Sequence, residues 1–390
     1  MPLDRITDNR RWKAIDDLWK EAFDDNIAAL TVTTDPRQTD AFGRQRVSAT
    51  GQRLDGEFIY GKQDDYFDET TNNGTVTFNA GPRDLTLSLG DANNGSYAKV
   101  ASYPVPYTPG NSQLIDITGV LDLAGLGTGS AELFIRTSIS GSAVETTYAQ
   151  NEWSDLKSGM DWTKSHIFTM DFQSLKVGRI RFGFVKDGVL RLVKELYNDN
   201  TRDSGYWQLA NGSVYWDLYT TGGETFMEMG YGNDNNAIGV RYKVTASASA
   251  TMKAICCTVK SEGGKDLYTM PGLPRSVGNE TTAVTASSTL VPILSIRPKS
   301  TFNSFENLIL SIPKSFELVT NQPIHWELRH DVTLTGASWT DVDTNDSSME
   351  YDVSASAVTG GHKVNGGYIG AAGNAATRTG QSGGCLLYTS

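Results

Sequence analysis

The sequence predicts a mainly β protein: an antiparallel β-sandwich or jelly-roll-like body, in one or two sandwiches, preceded by a short N-terminal amphipathic helix. Three observations predict it. Runs of alternating apolar and polar residues recur from about residue 75 to residue 356, each bounded by Gly, Asn, Ser, Asp or Pro. Glycine is abundant, 39 residues of 390, and charged residues make up only 20 %, which suits strands joined by turns better than long solvated helices. Helical periodicity is confined to one place, the N-terminus.

There, Trp12, Ile15, Leu18, Trp19, Phe23, Ile27 and Leu30 recur at spacings of three and four, with Asp8 or Asn9 as N-cap. Residues 1–34 are therefore read as an attachment helix. Its apolar stripe, with Trp12, Trp19 and Phe23, packs either on its own domain or on another subunit. Residues 35–70 are polar and broken by Pro36 and Gly43, and read as an extended arm. Phe42, Arg44 and Arg46 are its candidate anchors in a neighbour's groove, the alternative being an ordinary edge strand of the same subunit.

The main sandwich is placed at 71–275. Its strands are Thr75–Ala80, Leu85–Leu89, Leu114–Val120, Leu133–Ile139, His166–Phe172, Ile238–Thr245 and Met252–Val259. The sharpest local signal is Arg179–Val193, two alternating runs joined by Lys186-Asp187-Gly188, since Asp-Gly favours a type I′ hairpin turn. Residues 276–358 add Leu290–Ile296, Leu308–Ile312, Ile324–Leu328 and Tyr351–Ser356, as a second subdomain or as completion of the sandwich. Residues 359–390 are rich in Gly, Ala, Asn and Ser and are expected to form a flexible tail. Composition changes abruptly at the closing Gly384-Cys385-Leu386-Leu387-Tyr388-Thr389-Ser390, so the end is expected to be truncated or artefactual.

Composition limits the function. The net charge is −11, which argues against a protein that coats nucleic acid. No stretch approaches ~20 apolar residues, so no membrane insertion is expected. The start carries no apolar h-region of a signal peptide. Cys256, Cys257 and Cys385 lack the spacing of a disulfide framework, and in a strand Cys256 and Cys257 point to opposite faces.

No catalytic signature stands up. His325 and His330 are five apart, whereas a zinc-protease helix needs four. Gly380-Gln381-Ser382-Gly383-Gly384 lies in the tail, without the strand and helix of a nucleophile elbow. Gly125–Gly129 reads as a turn. Asp341, Asp343 and Asn345 match the first ligand positions of a calcium loop, but Asp346 stands where glycine is needed. Asp64, Asp65, Asp68 and Glu69 could supply paired carboxylates for glycoside cleavage, a remote alternative. Tyr206, Trp207, Tyr215 and Trp216, read as turn aromatics, are candidates for stacking on sugar rings, or else core residues. No cofactor is expected and no enzyme is read.

One arm segment, Asp40-Ala41-Phe42-Gly43-Arg44-Gln45-Arg46-Val47-Ser48, resembles the opening motif of a family of uncharacterised virion structural proteins of tailed bacteriophages, typical of environmental and marine phages. The resemblance continues in order through Val177–Gly188, Met252–Gly264 and Leu294–Asn303, and ends at Leu334–Trp339 with Glu350–Ser354. The chain departs from the family pattern at Leu196–Asn200, where the family carries a His-rich stretch. The resemblance implies a virion component made in the host cytoplasm, partnered by itself as a homo-oligomer (a trimer fits) and by other virion proteins. A tail-associated or fibre-like position is the first expectation. Head decoration and recognition of host-surface polysaccharide are the alternatives.

Overall fold

The computed structural model describes residues 50–369 except 91–93, 108–109, 127–128, 140–141, 174, 202–204, 206–210, 246–248, 263–274, 280–282, 286, 308, 310, 312, 314 and 321. The predicted N-terminal helix with Trp12, Trp19 and Phe23, the candidate anchors Phe42, Arg44 and Arg46, and Tyr206 and Trp207 lie outside the described residues.

The chain divides into two compact units, the first comprising residues 1–101, 107–208 and 214–264. Its strands are β1 (Thr50–Gly56), β2 (Phe67–Asn72), β3 (Gly74–Asn79), β4 (Asp84–Leu89), β5 (Tyr97–Ser102), β6 (Gln113–Val120), β7 (Ser130–Ile139) and β8 (Ser142–Ala149). They continue as β9 (His166–Phe172), β10 (Ile180–Lys186), β11 (Val189–Leu196), β12 (Ser213–Thr221), β13 (Glu224–Gly232), β14 (Ala237–Val244) and β15 (Ala250–Glu262). One short 3-10 turn, Gln150–Glu152, is the helical element among the described residues.

Two sheets result. The eight-stranded sheet runs β11-β10-β9-β6-β15-β4-β3, with β1 also pairing β15, and the seven-stranded sheet runs β2-β5-β12-β13-β14-β7-β8. β15 is the keystone of the first. Its early half pairs β4 from Ala250 to Ala254, its later half pairs β1 from Cys257 to Glu262, and its other edge carries β6. The mainly β, antiparallel sandwich expected from the sequence is the observed fold.

Alternation decides which side chains fill the space between the sheets. Ile115 and Ile117 face inward beside Val259 and Cys257, and Phe168, Phe182 and Phe184 stack along β9 and β10. From the opposite sheet come Trp216, Leu218, Met227, Met229, Tyr231 and Val240, all buried. Tyr231 reaches Phe172 with ring centroids 5.7 Å apart, and the Trp216 Nε1–H donates to the Thr118 carbonyl at 3.2 Å, so the layers touch directly. Cys257 is buried and Cys256 only partly so, as opposite faces require, and burial pushes the Cys257 thiol upward.

The predicted hairpin is present: β10 pairs β11 from Ile180↔Leu196 to Lys186↔Val189, and Asp187 and Gly188 take φ of 54° and 76°. Gly188→Val forces a β-branched residue into this left-handed turn, and we expect a loss of about 1–2 kcal/mol in urea unfolding. An unchanged midpoint would contradict the turn assignment.

Three expectations are corrected. The arm is not wholly given to a neighbour: Thr50–Gly56 is a strand of the subunit's own sheet, because Leu54 has an apolar site to fill against β15. Leu290–Ile296 is not a strand over its length, since only Ser295 and Ile296 find a pairing partner. The tail is not loose over residues 359–369, because Ala357–Ile369 pairs a long strand, Ile324–Thr335, with one register shift between Leu328 and Arg329.

That strand belongs to the second unit, residues 102–106, 209–213 and 265–390. Its strands are β16 (Ser295–Pro298), β17 (Thr301–Phe302), β18 (Phe305–Glu306), β19 (Ile324–Thr335), β20 (Thr340–Asp341), β21 (Met349–Asp352) and β22 (Ala357–Ile369). They form a three-stranded sheet β16-β21-β20 and two-stranded pairs β17-β18 and β19-β22.

Candidate functional site

Titratable groups concentrate on the outward face of the seven-stranded sheet. Period-two alternation sends Tyr215, Asp217 and Tyr219 of β12, Phe226 and Glu228 of β13, Arg241 of β14, Glu132, Phe134 and Arg136 of β7, and Glu145 of β8 to that face. Register then sets them side by side. Glu228 lies opposite Arg241, Arg241 opposite Glu132, and Arg136 opposite Glu145.

Glu228 is the centre and is fully buried. Its Oε1 accepts from the Tyr219 hydroxyl at 2.7 Å and from Arg136 Nη2 at 3.1 Å, and Arg241 Nη1 stands 3.5 Å away. The Tyr215 hydroxyl is 3.4 Å from Oε2. Arg241 also donates to Glu132 at 2.6 Å and to Glu145 at 2.7 Å, and Glu145 lies 3.0 Å from Arg136. Beneath the guanidinium groups lies Phe134, 5.2 Å from Arg136 and 5.5 Å from Arg241, with Phe226 5.1 Å from Arg241. The rings fit because Gly230 and Gly239 pair under them. A Cβ on Gly230 would come 2.7 Å from the Tyr215 hydroxyl, and one on Gly239 2.8 Å from Phe134.

The electrostatics follow from burial and neighbours. Burial alone would lower the Arg136 pKa, but the Glu228 charge raises it above its ordinary value, so the guanidinium stays charged. Burial, then Glu228, pushes both tyrosine hydroxyls upward, keeping them neutral donors. Every acceptor of Glu228 is thus occupied by a donor that holds its proton. This is a satisfied strut rather than a poised acid or nucleophile.

At its edge the face differs. Asp217 is pushed up to about 7, chiefly by burial, although Lys99 stands 3.8 Å away; Lys99 also pairs with Asp234. With its folded pKa raised, Asp217 holds a proton in the native state that the unfolded chain has already lost. Its charge therefore costs stability as pH rises from about 4 to about 7. Asp217→Asn is expected to match wild type at pH 4 and to exceed it at pH 8, by up to roughly 4 kcal/mol from the linkage. Urea midpoints at the two pH values read the difference, and a constant offset would contradict it.

The sequence-predicted residues fare differently. Tyr215 and Trp216 are not sugar platforms: both are buried, Tyr215 against Phe134 and Trp216 between the sheets, so neither offers a ring face to a ligand. Asp341 and Asp343 do not form a calcium loop. Asp341 pairs with Lys299 at 2.9 Å and Asp343 with Arg275 at 3.2 Å. The other Asp343 oxygen accepts from the Asp346 and Asn345 amides, which holds its carboxyl below the usual range. Among the described residues no group of three or more His, Cys, Asp or Glu is placed to hold a metal ion. Of the acidic cluster, Asp64 and Asp65 are exposed and Glu69 pairs with Lys62. His325 and His330 do not converge; one ring lies on Tyr368 and the other on His362.

No family model matches the chain, and neither does any curated protein sequence. Solved structures do. An endo-1,3-β-glucanase from Streptomyces sioyaensis is 10 % identical with a TM-score of 0.33, covering 55 % of this chain and 97 % of its own. Lectin II from Ulex europaeus is 10 % identical with a TM-score of 0.22, covering 54 % of this chain and 100 % of its own. A carbohydrate esterase of the Shiga toxin-encoding bacteriophage phi24B is 7 % identical with a TM-score of 0.23, covering 55 % and 100 %.

Proposed function

We propose that the chain is a structural component of a tailed-phage virion, working by assembly with itself and with other virion proteins rather than by catalysis. The observation that carries the reading is how its phage-like segments meet. Leu294–Asn303 and Glu350–Ser354 are distant in sequence, yet they pair in one sheet from Ser295↔Asp352 to Arg297↔Glu350. Arg297 lies 3.9 Å over the ring of Trp339, from the Leu334–Trp339 segment, and 2.5 Å from Glu350. Residues that resemble the family therefore hold one another in place, as a common framework would. The satisfied Glu228 strut agrees with a scaffold. Mass spectrometry of gradient-purified particles should find peptides of this chain at fixed stoichiometry, and immunogold labelling should separate tail from head; consistent absence from particles would overturn the reading.

Recognition of host-surface polysaccharide is a second reading, favoured by the loop between β1 and β2. Phe58 and Phe67 pin it in the core with rings 5.0 Å apart, while Tyr60 between them is 94 % exposed and Tyr66 is 56 % exposed beside Asp64 and Asp65. Exposed aromatic rings flanked by carboxylates suit sugar faces and hydroxyls. A glycan array on wild type and Tyr60→Ala tests it: the reading needs a hit that the variant loses.

A further inference from the structure

We propose that Asn365 is a site of self-modification, at which the backbone amide of Gly366 attacks the asparagine carboxamide. Water then completes its conversion to aspartate and isoaspartate in the folded chain. The reacting groups already face each other. The Gly366 N–H donates to Asn365 Oδ1 at 2.8 Å, so the nucleophile points at the carboxamide it attacks. Glycine brings no Cβ to hinder the approach. The register shift between Leu328 and Arg329 skips Val364, a bulge that bends the strand just before Asn365. The Lys363 side chain lies across Gly366, where an added Cβ would come 2.9 Å from its Nζ. A cation beside the amide favours loss of the proton that frees the nucleophile.

The atoms balance with water as the co-reactant. The Gly366 amide gives up its proton and its nitrogen bonds to Cγ of Asn365. The Cγ–Nδ2 bond breaks, and that nitrogen takes up a proton and leaves as ammonia. Water opens the resulting succinimide ring at either carbonyl. Opening at Cγ leaves aspartate. Opening at the α-carbonyl leaves isoaspartate, in which the backbone runs through the former side chain. Nothing is oxidised or reduced.

Placement in the fold favours this asparagine. Asn-Gly also occurs at 73–74, 94–95 and 211–212. Asn94 Oδ1 is taken by the Gly222 amide at 2.8 Å, and the Gly95 amide donates instead to the Thr220 carbonyl at 2.9 Å. Gly74 pairs with Leu89 in the eight-stranded sheet, where an added Cβ would meet the Tyr97 carbonyl at 2.5 Å. Ring closure at either place must first break these contacts. Among the described residues β22 pairs with β19 alone, and a two-stranded ribbon opens at small cost. Isoaspartate there adds a backbone carbon between Val364 and the run Gly366–Ile369. That run then no longer matches its partners Ile324–Glu327.

The test is to age the full-length chain at neutral pH, folded in buffer and unfolded in urea, and to map its peptides by mass spectrometry. In urea, Asn73, Asn94 and Asn365 should exchange NH2 for OH at comparable rates. In the folded chain Asn365 should convert about tenfold faster than Asn73 and Asn94, giving both aspartate and isoaspartate. Asn365→Gln, whose longer side chain closes its ring far more slowly, should abolish the change at 365 and leave Asn94 as it was. Amide exchange over residues 366–369 should quicken with age in wild type and not in this variant. Conversion at 365 no faster than at 94 in the folded chain would overturn the proposal. So would an equal lead for Asn365 in urea, which would place the cause in local sequence, or full conversion that leaves exchange over 366–369 unchanged. The comparison of folded with unfolded wild type decides even if Asn365→Gln does not fold.

Discussion

Arg241→Met is expected to destabilise the sandwich by about 3–5 kcal/mol, the cost typical of removing one partner from a buried ion pair. Arg241 serves three carboxylates, Glu132, Glu145 and Glu228, and lies on Phe134 and Phe226. Methionine has a similar length and keeps much of the ring contact, so the loss isolates the charge. Glu145 and Glu228 would then share Arg136, Glu132 would lose its partner, and Glu228 has no access to water. Removing the stranded charge as well, in Arg241→Met with Glu228→Leu, should recover part of the loss, making the pair non-additive by more than 1 kcal/mol. Urea unfolding of the four proteins of this cycle measures it. Additive losses would mean that the network is not a unit.

Trp216→Ala is expected to cost a similar ~3–5 kcal/mol, the range for emptying a buried aromatic site. The indole is fully buried, with Phe58 at 5.7 Å and Phe67 at 6.3 Å between ring centroids, and its N–H is spent on Thr118. Phe58 is held at φ 48°, a conformation that a bulky residue keeps only when its surroundings impose it. Losing Trp216 should therefore also loosen the loop that carries Tyr60, seen as faster amide exchange over residues 57–66. If Trp216→Ala kept wild-type stability, the ring would have to be reassigned to the surface.

The contrast between Trp216 and the hairpin at Gly188 explains what the sequence could and could not tell. β9 and the β10-β11 hairpin show one apolar face and one polar face, so alternation alone locates them. β12 hides its period because both faces are apolar or aromatic: Val214, Trp216 and Leu218 alternate with Tyr215, Asp217 and Tyr219. Read as a turn, it gave up its aromatics as ligand candidates. β22 was missed for the opposite reason, since Gly360, Gly361, Gly366 and Gly367 carry no pattern and pairing with β19 alone orders them. The Glu228 network was illegible because its members are spread from Glu132 to Arg241 and each stands at an ordinary outward position. Only sheet order brings them together. Asp341 and Asp343 show the converse error, ligand spacing whose carboxylates are taken by Lys299 and Arg275.

The position of β15 has a consequence for how the molecule comes into being. It lies between β6 and β4 in the sheet, yet it is the last strand of that sheet to be synthesised. Until residue 262 has left the ribosome, β3-β4 and β6-β9-β10-β11 are two half-sheets with facing open edges and nothing to join them. Such late, long-range closure is slow, and the waiting edges are templates for pairing with other nascent chains. Refolding yield should fall with protein concentration, and a chain stopped short of Ala250 should accumulate as aggregate rather than as a smaller folded domain.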